Sequence, residues 1–242
     1  MSPVTVLRQF LEMPLWTSEP VLARFRTLQG AIYRESGQHP RERFVYIPGF
    51  KRNRVVLVAH ADTFFDENYG EARIVHQIIE EDGYFKGSGP SPTGADDRAG
   101  CAMLWALKDF GHSILVADGE EIGLVGSNWL MEHNPDIAAS LNRHCFMLEF
   151  DRKNGRDYKC YHVGTNEFRT FIEVNTGYTE PELRSSADIS VLCKEITGVN
   201  LSVGYYDEHT LFERVNIGEW MHTYEIAKKL LVQKLPRFSL LP

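Results

Sequence analysis

The 242-residue sequence lacks several features that would settle its class at once. No apolar run approaches the roughly 20 residues of a membrane-spanning helix, so no membrane partner is expected. The opening MSPVTVLRQFLEMPLW has neither the basic start nor the long apolar core of a secretory signal. The four cysteines, Cys101, Cys145, Cys160 and Cys193, form no CxxC pair and read as buried thiols rather than a disulfide framework. A cytoplasmic location is the resulting expectation. There is no block of Lys and Arg, and the net charge is −7, which disfavours nucleic acid as a partner. Internal repeats, low-complexity tracts and long linkers are also missing, so residues 1–242 read as one catalytic domain.

What is present is an alternation of apolar strands and amphipathic helices. Arg43–Ile47, Val55–Ala59, Ser113–Ala117, His144–Phe150 and Val199–Val203 have strand character, several of them as the continuous apolar runs of a doubly covered sheet. Arg73–Ile79, Lys159–His162 and Phe168–Glu173 are also predicted as strands, with Asp82-Gly83 as a turn. Helices are predicted over the first 29 residues, over Cys101–Phe110, through Trp129–Met131, over Ile189–Ile196 with Gly198 as its stop, and over Gly218–Lys234. This order predicts an α/β fold, a three-layer α/β/α sandwich on a mixed, mostly parallel sheet. Sites in such folds gather at the carboxyl ends of the strands.

Five polar clusters stand at such places. His60-Ala61-Asp62 follows VVLVA, and Asp96-Asp97 sits in a glycine-flanked loop entering a helix. Glu120-Glu121 follows ILVADG, Asp151 follows CFMLEF, and His209 follows VNLSVGYYDE. Each cluster alone is unremarkable. If the strands run parallel, all five converge, and converging carboxylates repel strongly unless a multivalent cation offsets them. Two imidazoles among carboxylates suit zinc better than calcium or magnesium.

HAD (60–62), GADDRAG (94–100), DGEEIGLVGS (118–127), FDR (150–152) and YYDEH (205–209), in this order, resemble the co-catalytic zinc exopeptidases of the aminopeptidase/carboxypeptidase clan, with its phosphorylase/hydrolase-like fold. The resemblance spans roughly residues 55–232. The short intervals from Asp62 to Asp96 and from Asp151 to His209 leave no room for an inserted lid or a sizeable dimerisation domain there, which matches the compact, single-domain aminopeptidase branch. The wording DDRAG is nearer to the branches with inserted domains.

The resemblance implies two divalent metal ions, zinc first and cobalt or manganese as alternatives. It makes Asp96 the bridging ligand, with His60 and Asp151 completing one metal site and Glu121 and His209 the other. Glu120 becomes the general base and Asp62 the acceptor of the other ring N–H of His60, and the Asp96–Asp97 peptide is expected to be cis. Arg98 is expected to neutralise Asp97 or another nearby acid, with a substrate contact as the alternative. Tyr205 or Tyr206 is a candidate oxyanion donor. Asp188 is expected to cap the helix at Ile189, with a substrate role as the alternative. The loop Asn175–Ser186 and the segment Phe64–Gly70 are expected to border the pocket. The remaining histidines, His112 and His144 among them, read as surface or capping residues.

The expected activity is that of a metal-dependent aminopeptidase on short peptides. Alternatives are a carboxypeptidase or N-acyl amino acid deacylase, for which Arg98, Arg169 and Arg184 are the candidate cations, a glutaminyl-cyclase-like acyltransferase, and a non-catalytic binding relative. Peptide and N-acyl amino acid are thus the candidate substrates, and the sequence leaves the oligomeric state open.

Overall fold

The computed structural model describes residues 1–68, 76–182 and 185–240. In chain order the elements are α1 (Pro3–Leu11), α2 (Glu19–Arg26), β1 (Ile32–Glu35), β2 (Arg43–Ile47), β3 (Val56–His60), α3 (Phe64–Asn68), β4 (Ile78–Glu81), β5 (Tyr84–Gly87) and α4 (Ala95–Leu107). Then come β6 (Ser113–Ala117), α5 (Val125–His133), α6 (Pro135–Leu141), β7 (Met147–Arg152), β8 (Tyr158–Lys159) and α7 (Asn166–Thr176). The chain closes with α8 (Asp188–Leu192), β9 (Gly198–Ser202), β10 (Tyr205–Tyr206), β11 (Arg214–Asn216) and α9 (Ile217–Leu231).

The main sheet has seven strands in the order β1-β2-β6-β3-β7-β9-β8. Its centre, β6-β3-β7-β9, is parallel, and β1, β2 and β8 are antiparallel additions at the edges. Alternation along the central strands feeds two cores. Leu57 and Ala59 of β3 and Leu148 and Phe150 of β7 pack with α1, α2, α4 and α9, whereas Val56, Val58 and Met147 pack with α5, α6 and α8. The expected three-layer sandwich is therefore observed.

Among the described residues, the interval between Asp62 and Asp96 contributes the short helix α3 and a hairpin, β4–β5, turned by Asp82 and Gly83 in the left-handed region (φ 51° and 80°). Strand β5 pairs with β11, and β11 with β10, which makes a small four-stranded antiparallel sheet beside the main one. Tyr205 and His209 are thereby held next to the hairpin rather than on the main sheet.

Several local expectations need correction. The segment Phe168–Glu173 lies within helix α7, not a strand. Thr165 caps it by accepting Phe168 N–H at 3.2 Å, and Gly177 closes it at φ 70°. The helix predicted over Ile189–Ile196 ends at Leu192, because Cys193 is already extended. Gly198 does not stop that helix but begins β9, where a Cβ would come within 2.7 Å of Cys193 Sγ. Of the strand predicted over Arg73–Ile79, residues 73–75 lie outside the described residues, and β4 starts at Ile78. The four cysteines are free and buried, as expected. Among the described residues no helix is long and apolar enough to cross a membrane.

Candidate metal centre

The parallel strands deliver their polar ends to one place. His60 is the last residue of β3, Glu120 and Glu121 follow β6, and Asp151 is the penultimate residue of β7. Asp96 enters from α4, whose regular helix begins only after non-helical backbone at Asp96 and Asp97. The peptide between those two residues is cis. His209 comes from the loop after β10, where φ of 63° turns its imidazole back toward the sheet, and Phe64 stacks on its ring at 4.6 Å.

Asp96 stands between the two imidazoles. Its Oδ1 lies 3.2 Å from His60 Nε2, and its Oδ2 lies 3.4 Å from His209 Nε2. On the first side, Asp151 Oδ1 is 3.5 Å from the same His60 nitrogen. On the second, Glu121 Oε2 is 3.0 Å from His209 Nε2. Groups of three donors within 4.8 Å of one another, His60–Asp96–Glu121 and His60–Asp97–Asp151, overlap this set. Asp97 is already committed elsewhere, since its carboxylate accepts the backbone N–H groups of His60 at 3.2 Å and Gly100 at 2.8 Å.

Asp62 organises the ring from behind. It meets His60 Nδ1 at 3.2 Å and accepts the amides of Gly119, Glu120 and Glu121 at 2.8, 3.2 and 3.2 Å. One buried carboxylate thus orients an imidazole and fixes the loop that presents both glutamates. Glu121 is further aligned by Phe64 N–H, which donates to its Oε1 at 3.1 Å. Asn200 pins Asp151 by accepting its amide at 2.9 Å and donating to its carbonyl at 2.6 Å.

The electrostatics show an excess of acid. Burial opposes ionisation of Asp96, but His209 and His60 outweigh it and hold the carboxyl below its ordinary value. Burial pushes Glu120 up to about 10, against the pull of His60 and with help from Asp151 and Asp188. Burial and the neighbouring Asp96 lift Asp151 to about 7. His209, bonded to Asp96 and Glu121, rises to about 10. Two imidazoles do not balance four carboxylates, and the donor set of two nitrogens and shared carboxylate oxygens is one that zinc accepts.

A cleft of about 210 Å³ opens on this group, and Asp96, Glu120, Glu121, Asp151, Tyr205 and His209 are on its wall with Tyr161, Ser185 and Ser186. Two residues of the loop expected to border the pocket, Ser185 and Ser186, therefore do so, whereas Leu183 and Arg184 lie outside the described residues. Of Phe64–Gly70, Phe64 reaches His209, and residues 69 and 70 are likewise outside the described set.

Three expectations are redirected. Arg98 neither pairs with Asp97 nor faces the cleft. It is fully buried and donates to the carbonyls of Ala61, Pro14 and Thr17 at 2.7, 2.9 and 3.0 Å, because three carbonyls left over at chain turns need a donor. Tyr206 turns away and donates to Glu219 Oε2 at 2.6 Å, while Tyr205 does reach the site and donates to Asp151 Oδ1 at 3.3 Å. His112 and His144 are buried, at 3% and 2% exposure, rather than at the surface, although His144 does act as a cap, its Nδ1 meeting the carbonyls of Ser140 and Leu141 at the end of α6 at 2.9 and 3.0 Å.

Two acids, Glu213 and Glu149, escaped the sequence reading, and a third, Asp188, was read there as a cap. Glu213 is buried and accepts the amides of Ala95 and Asp96 at 3.0 and 3.2 Å, which fixes the loop presenting the shared carboxylate. Glu149 interrupts the apolar run of β7 two residues before Asp151, where the pairing with β9 shifts register, and that interruption was the available signal. Asp188 is 1% exposed, and neither of its oxygens has a hydrogen-bond partner, so it is no ordinary cap.

No protein-family model matches the sequence, and no curated protein matches it. Solved structures do share the fold. The aminopeptidase PepT of Bacillus cereus superposes with a TM-score of 0.64 at 16% identity, over 95% of this chain and 97% of that one. A tripeptidase from Staphylococcus aureus gives 0.65 at 16%, over 96% and 98%. The TET1 peptidase of Pyrococcus horikoshii gives 0.62 at 13%, over 96% and 100%.

Proposed function

We propose that this protein is a metal-dependent exopeptidase of the co-catalytic zinc type, acting as an aminopeptidase on short peptides. The observation that carries the reading is the placement of Asp96, one oxygen toward His60 and the other toward His209, with Glu120 on the wall of the same cleft. The peptidases that share the fold are consistent with it. Asp151 and His60 would hold one ion, Glu121 and His209 the other, and Asp96 both. Bound there, two divalent ions would supply Lewis acidity toward the scissile carbonyl and acidify an attacking water.

The protein's own residues carry the rest of the reaction. Glu120 takes the proton of the attacking water and returns it to the leaving amine. Its high proton affinity suits it to hold that proton, and divalent ions held by its neighbours would lower that affinity toward the working range. Asp62 keeps Nδ1 of His60 occupied, so Nε2 is the nitrogen that faces the ligand group. Tyr205 steadies Asp151. The small cleft admits a short substrate.

An aminopeptidase is favoured over a deacylase or carboxypeptidase by where the cations are. Arg98 is bound to backbone carbonyls, and Arg169 is bound to Glu180 at 2.7 Å and to Tyr161 O at 3.0 Å. Arg152 and Lys153 line the cleft, but they are paired with Asp157 at 3.0 Å and Glu208 at 2.5 Å. No candidate carboxylate receptor stands unpaired among the described residues named here. The test compares aminoacyl anilides with N-acyl amino acids, with and without chelator. Anilide hydrolysis that chelator removes and zinc restores is the expected result. Turnover of N-acyl amino acids alone would transfer the site to the deacylase reading, and turnover of neither would overturn the proposal.

A further inference from the structure

The two imidazoles of the candidate centre are held in different ways. Asp62 occupies the Nδ1 of His60, the usual device by which a protein orients a histidine toward a metal. His209 lacks that support, for among the described residues no hydrogen bond reaches its Nδ1. It is also the most exposed of the five expected ligands, at 40% of its side chain, and it stands on a loop with left-handed backbone. A different contact must set the angle of this ring. Phe64 lies face to face with it, 4.6 Å between centroids and 11° from parallel.

Phe64 touches this half of the site twice. While its ring covers His209, its backbone N–H donates to Glu121 Oε1 at 3.1 Å, and Glu121 and His209 are the pair expected to share one ion. The helix that carries Phe64 is itself well anchored. Phe65 is 2% exposed and meets Phe64 edge-on at 5.6 Å. The Asp66 side chain is fully buried, bonded to Thr63 Oγ1 at 2.8 Å and paired at 3.1 Å with Arg41, which also pairs with Asp118. Helix α3 is thus a short bracket, with a buried ionic anchor on one side and an aromatic face toward His209 on the other. The chemistry of the rings favours the ligated state. The face of a phenyl ring is negative, and an imidazole bonded to a cation is electron-poor, so the stack strengthens when the nitrogen is occupied.

We infer that Phe64 is the positioning residue of the ion site formed by Glu121 and His209, its ring doing for His209 what Asp62 does for His60. This deepens the two-metal reading and rests on it, and it concerns only one of the two ions. The stretch HADTF (60–64) then supplies a ligand and its orienting acid to one half of the centre and the bracket to the other.

Substitution removes the ring and leaves the amide in place, so variants at this position probe the stack on His209. Phe64→Leu and Phe64→Met abolish the aromatic face and keep an apolar side chain, and either one suffices; Phe64→Tyr keeps the face. Zinc affinity is measured on the purified, zinc-loaded protein by competition with a chromophoric chelator, which reads the two ions as separate dissociation constants. His209→Ala identifies the ion in question by losing it. Phe64→Leu is expected to weaken that ion about three- to tenfold and to leave the other unchanged, while Phe64→Tyr keeps wild-type affinity. Introduced into His209→Ala, Phe64→Leu is expected to have no effect on the remaining ion. Wild-type affinity for both ions in Phe64→Leu or Phe64→Met overturns the role of the ring. An equal loss at both ions, or a loss that persists in His209→Ala, also overturns it, because either marks Phe64 as a support of the fold alone. A wild type that binds a single ion overturns the two-metal reading instead, and the role of Phe64 with it.

Discussion

Asp62 and His60 are joined at 3.2 Å through Nδ1, while the same carboxylate accepts three successive amides of the loop Gly119–Glu121. This ties an imidazole on β3 to the two glutamates that follow β6, parts of the candidate centre that lie far apart in the sequence. The two strands are adjacent and parallel, so a single side chain can span their ends.

Replacing Asp62 by Asn removes both functions at once. The amide still accepts through one oxygen, but it no longer holds the Nδ1 proton with a full charge. Metal affinity is expected to fall about 10–100-fold, measured by competition with a chromophoric chelator. An unchanged affinity would remove Asp62 from the account.

Glu213 tests the second support. Burial, with the neighbouring Asp96, pushes its carboxyl up to about 8, and it accepts Ala95 and Asp96 N–H. Ala95 and Asp96 are accepted by different oxygens, so Glu213→Gln keeps one of the two acceptors and is expected to cost less than removal of both. Glu213→Ala orphans two buried amides and is expected to cost about 2–4 kcal/mol in denaturant unfolding. Equal losses in the two variants would contradict this assignment.

The buried histidines set the acid limit of stability. His144 Nδ1 donates to Ser140 O at 2.9 Å, leaving Nε2 to accept from Arg54 at 3.1 Å. His112 Nδ1 accepts Val55 N–H at 3.1 Å, and its Nε2 donates to Leu231 O at 2.9 Å. Each is therefore held as a neutral tautomer, and burial lowers both to about 4. Between pH 6.5 and 4 the unfolded chain binds more protons than the folded one, so stability rises with pH through that window and is lost on acidification. Going from pH 7 to 5 is expected to cost about 1–2 kcal/mol per imidazole. His144→Gln should flatten its share of the slope in urea melts, and an unaltered slope would refute the assignment.

Gly100 marks a close approach that only glycine permits. A Cβ there would lie 2.1 Å from Phe150 O and 2.3 Å from Asp97 Oδ1. Gly100→Ala is therefore expected to lower stability by about 2 kcal/mol or more and to weaken metal binding by displacing α4 from β7. A variant as stable as the wild type would show that the helix yields freely.

Much of this was legible in the sequence because the central strands are continuous apolar runs that end in polar clusters. Val55–Ala59 and Ser113–Ala117 could be read almost to the residue, and their ends named His60 and Glu120-Glu121. Phe168–Glu173 was misread because its aromatic and β-branched residues favour a strand, although Phe168, Phe171 and Ile172 keep the i, i+3, i+4 spacing of a helix, and the capping signals, Thr165 and Gly177, lie outside it. Gly198 was misread because close packing of α8 on a strand leaves the same mark as a helix stop. The partners of Arg98 and Tyr206 were not legible at all. They are a set of backbone carbonyls and a glutamate on α9, brought near only by the tertiary fold.

The central claim is that Asp96 serves two metal ions, and elemental analysis of the purified protein beside its Asp96→Ala variant tests it most directly. About two zinc-type ions per chain in the wild type, and loss of both in the variant, is the expected result. A single ion per chain in the wild type, or a variant that retains two, would contradict it.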